Sequence, residues 1–175
     1  MTARREPCPT ADPSQAVAPP HVVIDLGRQT LLFGGPTGEL SYPISSALNG
    51  PGEQINSGCT PRGRHVVRAK IGDGQPLNAV FRGRRPTGEI YDAQLGLLHP
   101  ERDWVLTRIL WLSGCEPGRN RLGAVDSMRR YIYVHGCPDS KPMGVPRSHG
   151  CIRMRNAHVL DLFDRVPVGT GVLIH

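Results

Sequence analysis

Residues 131–154, YIYVHGCPDSKPMGVPRSHGCIRM, carry the tripeptide His-Gly-Cys twice, at 135–137 and at 149–151. The run into the first copy alternates, with Tyr131, Tyr133 and His135 on one side and Ile132 and Val134 on the other, which predicts a β-strand. Three chemistries are open to two histidines and two cysteines so placed. Zinc takes these ligand types but usually spaces paired ligands by two to four residues. Here a single glycine separates them, and on a strand they share a face about 6–7 Å apart, too spread without a bend. A Cys137–Cys151 disulfide is the second possibility, opposed by a reducing compartment.

The third is one nucleophile with its base. A free thiol has pKa of about 8.5 and only the thiolate reacts, so the nucleophile needs a base or a positive field beside it. Cys151 suits this better than Cys137. It follows Ser148-His149-Gly150 in a turn where glycine lets the backbone approach a carbonyl. A helix starts just downstream, and Arg153 and Arg155 add positive charge. His135, ending its strand, is placed to face that turn.

The chain outward from this stretch reads as β structure. Residues 21–35, HVVIDLGRQTLLFGG, hold two apolar runs about a turn, the pattern of a hairpin. GPTGE at 35–39 and RPTGE at 85–89 are each expected to close a hairpin. Residues 65–71, 78–83 and 103–112 predict further strands, and the Gly- and Arg-rich segment after them a long loop. Asn156 is a candidate N-cap for a helix with Val159, Leu160, Phe163 and Val166 at helical spacing, stopped by Pro167. GTGVLIH predicts a last strand. The fold class is therefore mainly β with one or two helices, a β-sandwich or partial barrel, over residues 21–175. Residues 1–20, rich in Pro, Ala, Ser and Thr, read as a flexible arm.

The 21 glycines and 17 prolines agree with short strands and many turns, and 175 residues suffice for one domain. Against 15 Asp and Glu stand 21 Lys and Arg, a formal net charge of +6 that attracts polyanions or ligands with several carboxylates. Nucleic acid is not indicated, because the RGRRP run at 82–86 lacks interleaved aromatics. Five cysteines without framework spacing argue against a disulfide-stapled scaffold. No signal peptide and no membrane span are read, so the expected location is the cytoplasm, or the periplasm if the N-terminus is truncated or misassigned.

Residues 131–154 resemble the catalytic stretch of the L,D-transpeptidases of the YkuD/ErfK type: a strand ending in His-Gly, a loop of about a dozen residues, then Ser-His-Gly-Cys. VIDLGRQTLLF and TPRGRHVV (60–67) are similar to the family's opening hairpin and its Thr-Pro turn. The resemblance implies the family's β-sandwich or partial barrel over 21–175 and no cofactor or metal. It implies Cys151 as nucleophile, His135 as base, and the carbonyl of Gly136 orienting the imidazole. Backbone N–H groups around Gly150 and Cys151 would form an oxyanion hole, each donor worth roughly 3 kcal/mol. Ser148 and His149 would shape the site, and Arg153 would grip a substrate carboxylate. Cys137 departs from a frequent Thr. The implied partners are peptidoglycan stem peptides or muropeptides. The chemistry is attack before the terminal D-Ala, with water as the acceptor preferred here (L,D-carboxypeptidation in murein recycling) and 3–3 cross-linking as the alternative. A polyanion- or zinc-binding β module without enzymatic activity is the reading outside enzymology.

Overall fold

A computed structural model describes residues 20–36 and 38–175, so the arm read over 1–20 lies outside the described residues except for Pro20. Among the described residues there are ten strands and two α-helices. β1 (His21–Asp25) and β2 (Thr30–Gly35) form the expected antiparallel hairpin, and β3 (Gly38–Pro43) pairs with β2, so the first Pro-Thr-Gly copy does close a hairpin. The second does not. RPTGE lies inside β6 (Arg85–Ile90), and the turn from β5 (Ala79–Arg82) is Gly83–Arg84, at φ 55° and 66°. A two-residue loop with both φ positive matches the twist of the flanking strands.

The chain continues through β4 (Gly63–Ile71), α1 (Ala93–Leu98), β7 (Val105–Gly114), β8 (Tyr133–Gly136), β9 (Ile152–Met154), α2 (Asn156–Arg165) and β10 (Gly171–Ile174). The sheet order is β3-β2-β1-β10-β4-β7-β5-β6, with β8 added on β7 and β9 on β8. The pairs β1–β10 and β8–β9 are parallel and the rest antiparallel.

β8 separates two apolar clusters. Ile132 and Val134 enter the larger one with Val22, Leu31, Leu110 and Met154, closed by Val159, Leu162 and Phe163 of α2. Leu162, not Leu160, is the sealed leucine of that helix. Each such side chain contributes roughly 1.5–3 kcal/mol when fully buried. Tyr133 joins Phe81 and Ile109 on the other side, where the half-buried Trp111 and Cys151 pack.

The strand expected from 131 starts two residues late. Tyr131 sits in the left-handed region at φ 57°, a costly place for an aromatic residue. The Gly- and Arg-rich segment is fastened: the Glu116 carbonyl accepts the N–H groups of Arg119, Asn120 and Arg121, and buried Asn120 donates to the carbonyls of Arg62 and Arg64. Cys59, Cys137 and Cys151 are free thiols, whereas Cys115 is disulfide-bonded, a pairing that cysteine spacing did not suggest.

Candidate active site

The parallel register of β8 and β9 sets His135 opposite Arg153, with Cys151 leading into β9. Cys151 Sγ donates to the Tyr131 carbonyl at 3.2 Å and accepts the Tyr133 N–H at 3.4 Å. Burial pushes its thiol up to about 12, against the Tyr133 N–H and the fields of Arg153 and Arg130, so the sulfur rests protonated at neutral pH.

His135 is buried, with Nδ1 2.8 Å from its neighbour's carbonyl, Gly136 O. A carbonyl only accepts, so Nδ1 carries the hydrogen and Nε2 the lone pair. Burial holds the imidazole below the usual histidine range, outweighing the Gly136 carbonyl and the Asp103 charge. The resting pair is therefore neutral thiol and neutral imidazole. Among the described residues no hydrogen bond reaches Nε2, and none joins it to Cys151.

Besides Gly136, two residues that sequence reading did not assign to the site, Asn156 and Thr107, hold this histidine's end of it. A Cβ at Gly136 would overlap Asn156 Oδ1 and the Leu106 carbonyl. Asn156 is the first residue of α2 rather than its cap. Its amide donates to the Cys137 carbonyl at 2.9 Å and accepts Thr107 Oγ1 at 2.6 Å. Thr107 in turn sits at φ 68° in a bulge of β7, opposite β8. Helix capping statistics point to Asn156 but cannot show that its amide faces a strand end.

Ser148 fastens the nucleophile's turn. Its hydroxyl donates to the Cys151 carbonyl at 2.5 Å and accepts the Gly150 N–H at 3.2 Å. Gly150, at φ 134°, offers its carbonyl to Thr60 Oγ1 at 2.9 Å, and Thr60 accepts the Ala47 N–H. The Gly150 N–H is thus engaged inside the turn. Of the two amides expected to receive an oxyanion, the Cys151 N–H is the one outside that bond.

Arg153 is nearly sealed and paired with Asp103 at 2.6 Å, while its other nitrogen donates to the Arg147 carbonyl. Both of its terminal nitrogens, expected to grip a substrate carboxylate, are thus engaged within the protein. His149 is exposed and meets the other oxygen of Asp103 at 3.3 Å. Burial pushes the Asp103 carboxyl up, but the field of Arg153 and these hydrogen bonds more than offset it and hold the group low. Asp103, His149 and Arg153 line a cavity of about 240 Å3 with Arg102, Lys141 and Arg147. Two arginines of the basic surplus are engaged within the protein: Arg119 pairs with Glu116, and Arg130 donates to the carbonyls of Gly52, Glu53 and Cys59.

The two His-Gly-Cys copies do not converge. Cys137 is buried against the Pro138 and Met154 carbonyls, burial raising its thiol to about 11, while His149 faces Asp103. Among the described residues no three His, Cys, Asp or Glu side chains cluster in a way that could hold a metal ion.

Residues 19–174 match the family profile described as the L,D-transpeptidase catalytic domain, YkuD. A 43-residue stretch is 44% identical to the Probable L,D-transpeptidase YbiS of Escherichia coli K12, covering 25% of this chain and 14% of that protein. In fold, the chain is similar to the L,D-transpeptidase of Xylanimonas cellulosilytica (TM-score 0.56, 23% identity, 94% of this chain and 63% of that one). It is also similar to the L,D-transpeptidase LdtMt1 solved with imipenem (TM-score 0.53, 19% identity, 89% of this chain and 58% of that one). The chain thus spans under two thirds of the length of each of these relatives.

Proposed function

The chain belongs to the L,D-transpeptidase catalytic domain family, and from that premise we propose that it transfers the acyl group of a peptidoglycan stem tetrapeptide through a thioester on Cys151. The observation that carries this reading is the state of His135: Nδ1 is tied to the Gly136 carbonyl, Nε2 is left with its lone pair, and the ring is neutral. A thiol whose pKa is raised to about 12 does not ionise unaided, so its proton must leave as the bond forms. His135 Nε2 is the base for that step, and Cys151 Sγ leaves the Tyr131 carbonyl to present it. Sulfur attacks the carbonyl before the terminal D-Ala, the Cys151 N–H receives the oxyanion, and the proton passes to the departing amine. D-Ala leaves and the thioester awaits an acceptor.

Water is the acceptor we favour, which makes the reaction L,D-carboxypeptidation. In the cavity beside Arg153, Arg102 is paired with Glu89 and Arg153 with Asp103, which leaves Lys141 and Arg147 against Glu101. The small positive surplus that remains disfavours entry of a second stem's ammonium and is indifferent to water. Cross-linking by such an amine is the other reading. A disaccharide-tetrapeptide digest treated with wild type or Cys151→Ala separates them by mass. Tripeptide formed only by wild type supports the proposal. Dimers with a 3–3 bond as the main product favour cross-linking, and an unchanged digest rejects both.

A further inference from the structure

Arg84 stands at the tip of the β5–β6 hairpin at φ 66°, and Tyr131, at φ 57°, precedes β8. Both are non-glycine residues in the left-handed region, a placement that tends to collect at functional sites. The two meet. The Arg84 guanidinium carbon lies 4.7 Å from the centre of the Tyr131 ring and 4.7 Å from that of Trp111, and Nη1 donates to the Tyr133 hydroxyl at 3.1 Å. The Tyr131 carbonyl and the Tyr133 N–H are the same two groups that hold Cys151 Sγ. One pair of residues therefore positions both the thiol and the guanidinium.

The other arginines at this centre are committed: Arg153 to Asp103, and Arg130 to backbone carbonyls. Arg84 uses one of its five N–H donors, and among the described residues no carboxylate pairs with it. Aromatic faces hold a guanidinium plane in place without neutralising it. The remaining fork is matched to a planar anion.

We propose that Arg84, seated on Trp111 and Tyr131, binds a carboxylate of the acyl-donor peptide and so selects which peptides reach Cys151. This rests on the acyl-transfer reading above and adds the substrate feature recognised. The carboxylate is one that stays with the acyl group, not the one that departs with D-Ala.

The test compares kcat/KM of wild type, Arg84→Gln and Arg84→Lys on a tetrapeptide with free internal carboxylates and on the same peptide with those groups amidated. Arg84→Gln should lose about tenfold or more on the free acid, chiefly in KM, and less than about twofold on the amide. Arg84→Lys, charged but unable to stack as a plane, should fall between. Equal losses on both peptides, or no loss on either, overturn the proposal; a general loss of fold moves both peptides alike. If wild type turns over neither peptide, the acyl-transfer reading fails by itself, and the Arg84 contact is read from binding. Cys151→Ala should then bind the free acid about tenfold more tightly than the amide, and adding Arg84→Gln should erase that preference. Equal binding of the two peptides by Cys151→Ala overturns it.

Discussion

His65 and His135 are both buried, and both hold Nδ1 against a backbone carbonyl, Gly63 O at 2.9 Å and Gly136 O at 2.8 Å. Burial depresses both, His65 to about 4. They differ at one atom. Nε2 of His65 is met by Ser127 Oγ at 2.9 Å, whereas Nε2 of His135 receives no hydrogen bond among the described residues. A buried imidazole with both nitrogens satisfied fastens β4 to the segment before β8. One whose second nitrogen keeps an open lone pair can still take up a proton, the role proposed for His135.

Exchanging the two roles gives the largest expected effects. His135→Gln should lower kcat on the tetrapeptide by about 10³-fold, with little change in stability. His65→Gln should do the reverse, lowering the free energy of unfolding in urea by about 1–3 kcal/mol while the folded fraction keeps its kcat. Comparable losses of kcat in both variants would dissolve the distinction. Next in size is Gly136→Ala. Its Cβ would run into Asn156 Oδ1 and the Leu106 carbonyl, displacing the acceptor that sets the His135 tautomer. A drop of about 10²-fold in kcat is expected, read with a urea titration to confirm folding. Wild-type kcat with a folded protein would show that the carbonyl does not orient the ring.

Acid separates the pair more gently. Because the folded-state pKa of His65 is lowered, the unfolded chain takes up a proton that the native chain refuses. No penalty exists above pH 6.5, and one grows as pH falls toward 4, to about 3 kcal/mol at most. The urea midpoint should therefore fall between pH 7 and pH 5, less so in His65→Gln. His135 is lowered as well, so the acid limb of kcat/KM should lie below the ordinary histidine value of 6.5. A limb above 6.5 would assign the titration to another group.

Much of this arrangement was legible in the chain. The alternation before His135, the Ser-His-Gly-Cys turn and the apolar spacing of α2 depend on local periodicity, and they survive folding. The contacts that tune the site do not. Arg84 looked like part of an unremarkable basic run without aromatics, yet its rings arrive from Trp111 and Tyr131, on β7 and ahead of β8. Arg153 looked free for a ligand because nothing in sequence sets Asp103, fifty positions away, against it. Tyr131 fitted a strand by alternation, but its backbone turns left-handed to aim a carbonyl at Cys151. Asn156 fitted a cap by residue type, while the strand-end carbonyl it serves comes from Cys137.

The central claim is that Cys151, deprotonated by His135, forms an acyl-enzyme. Intact-protein mass spectrometry after incubation with imipenem, on wild type, Cys151→Ala and His135→Gln, addresses it most directly. The expected result is one covalent adduct on wild type that maps to the peptide containing Cys151, none on Cys151→Ala, and slow labelling of His135→Gln. An unmodified wild-type mass, or an adduct on Cys59 or Cys137 that persists in Cys151→Ala, would contradict it.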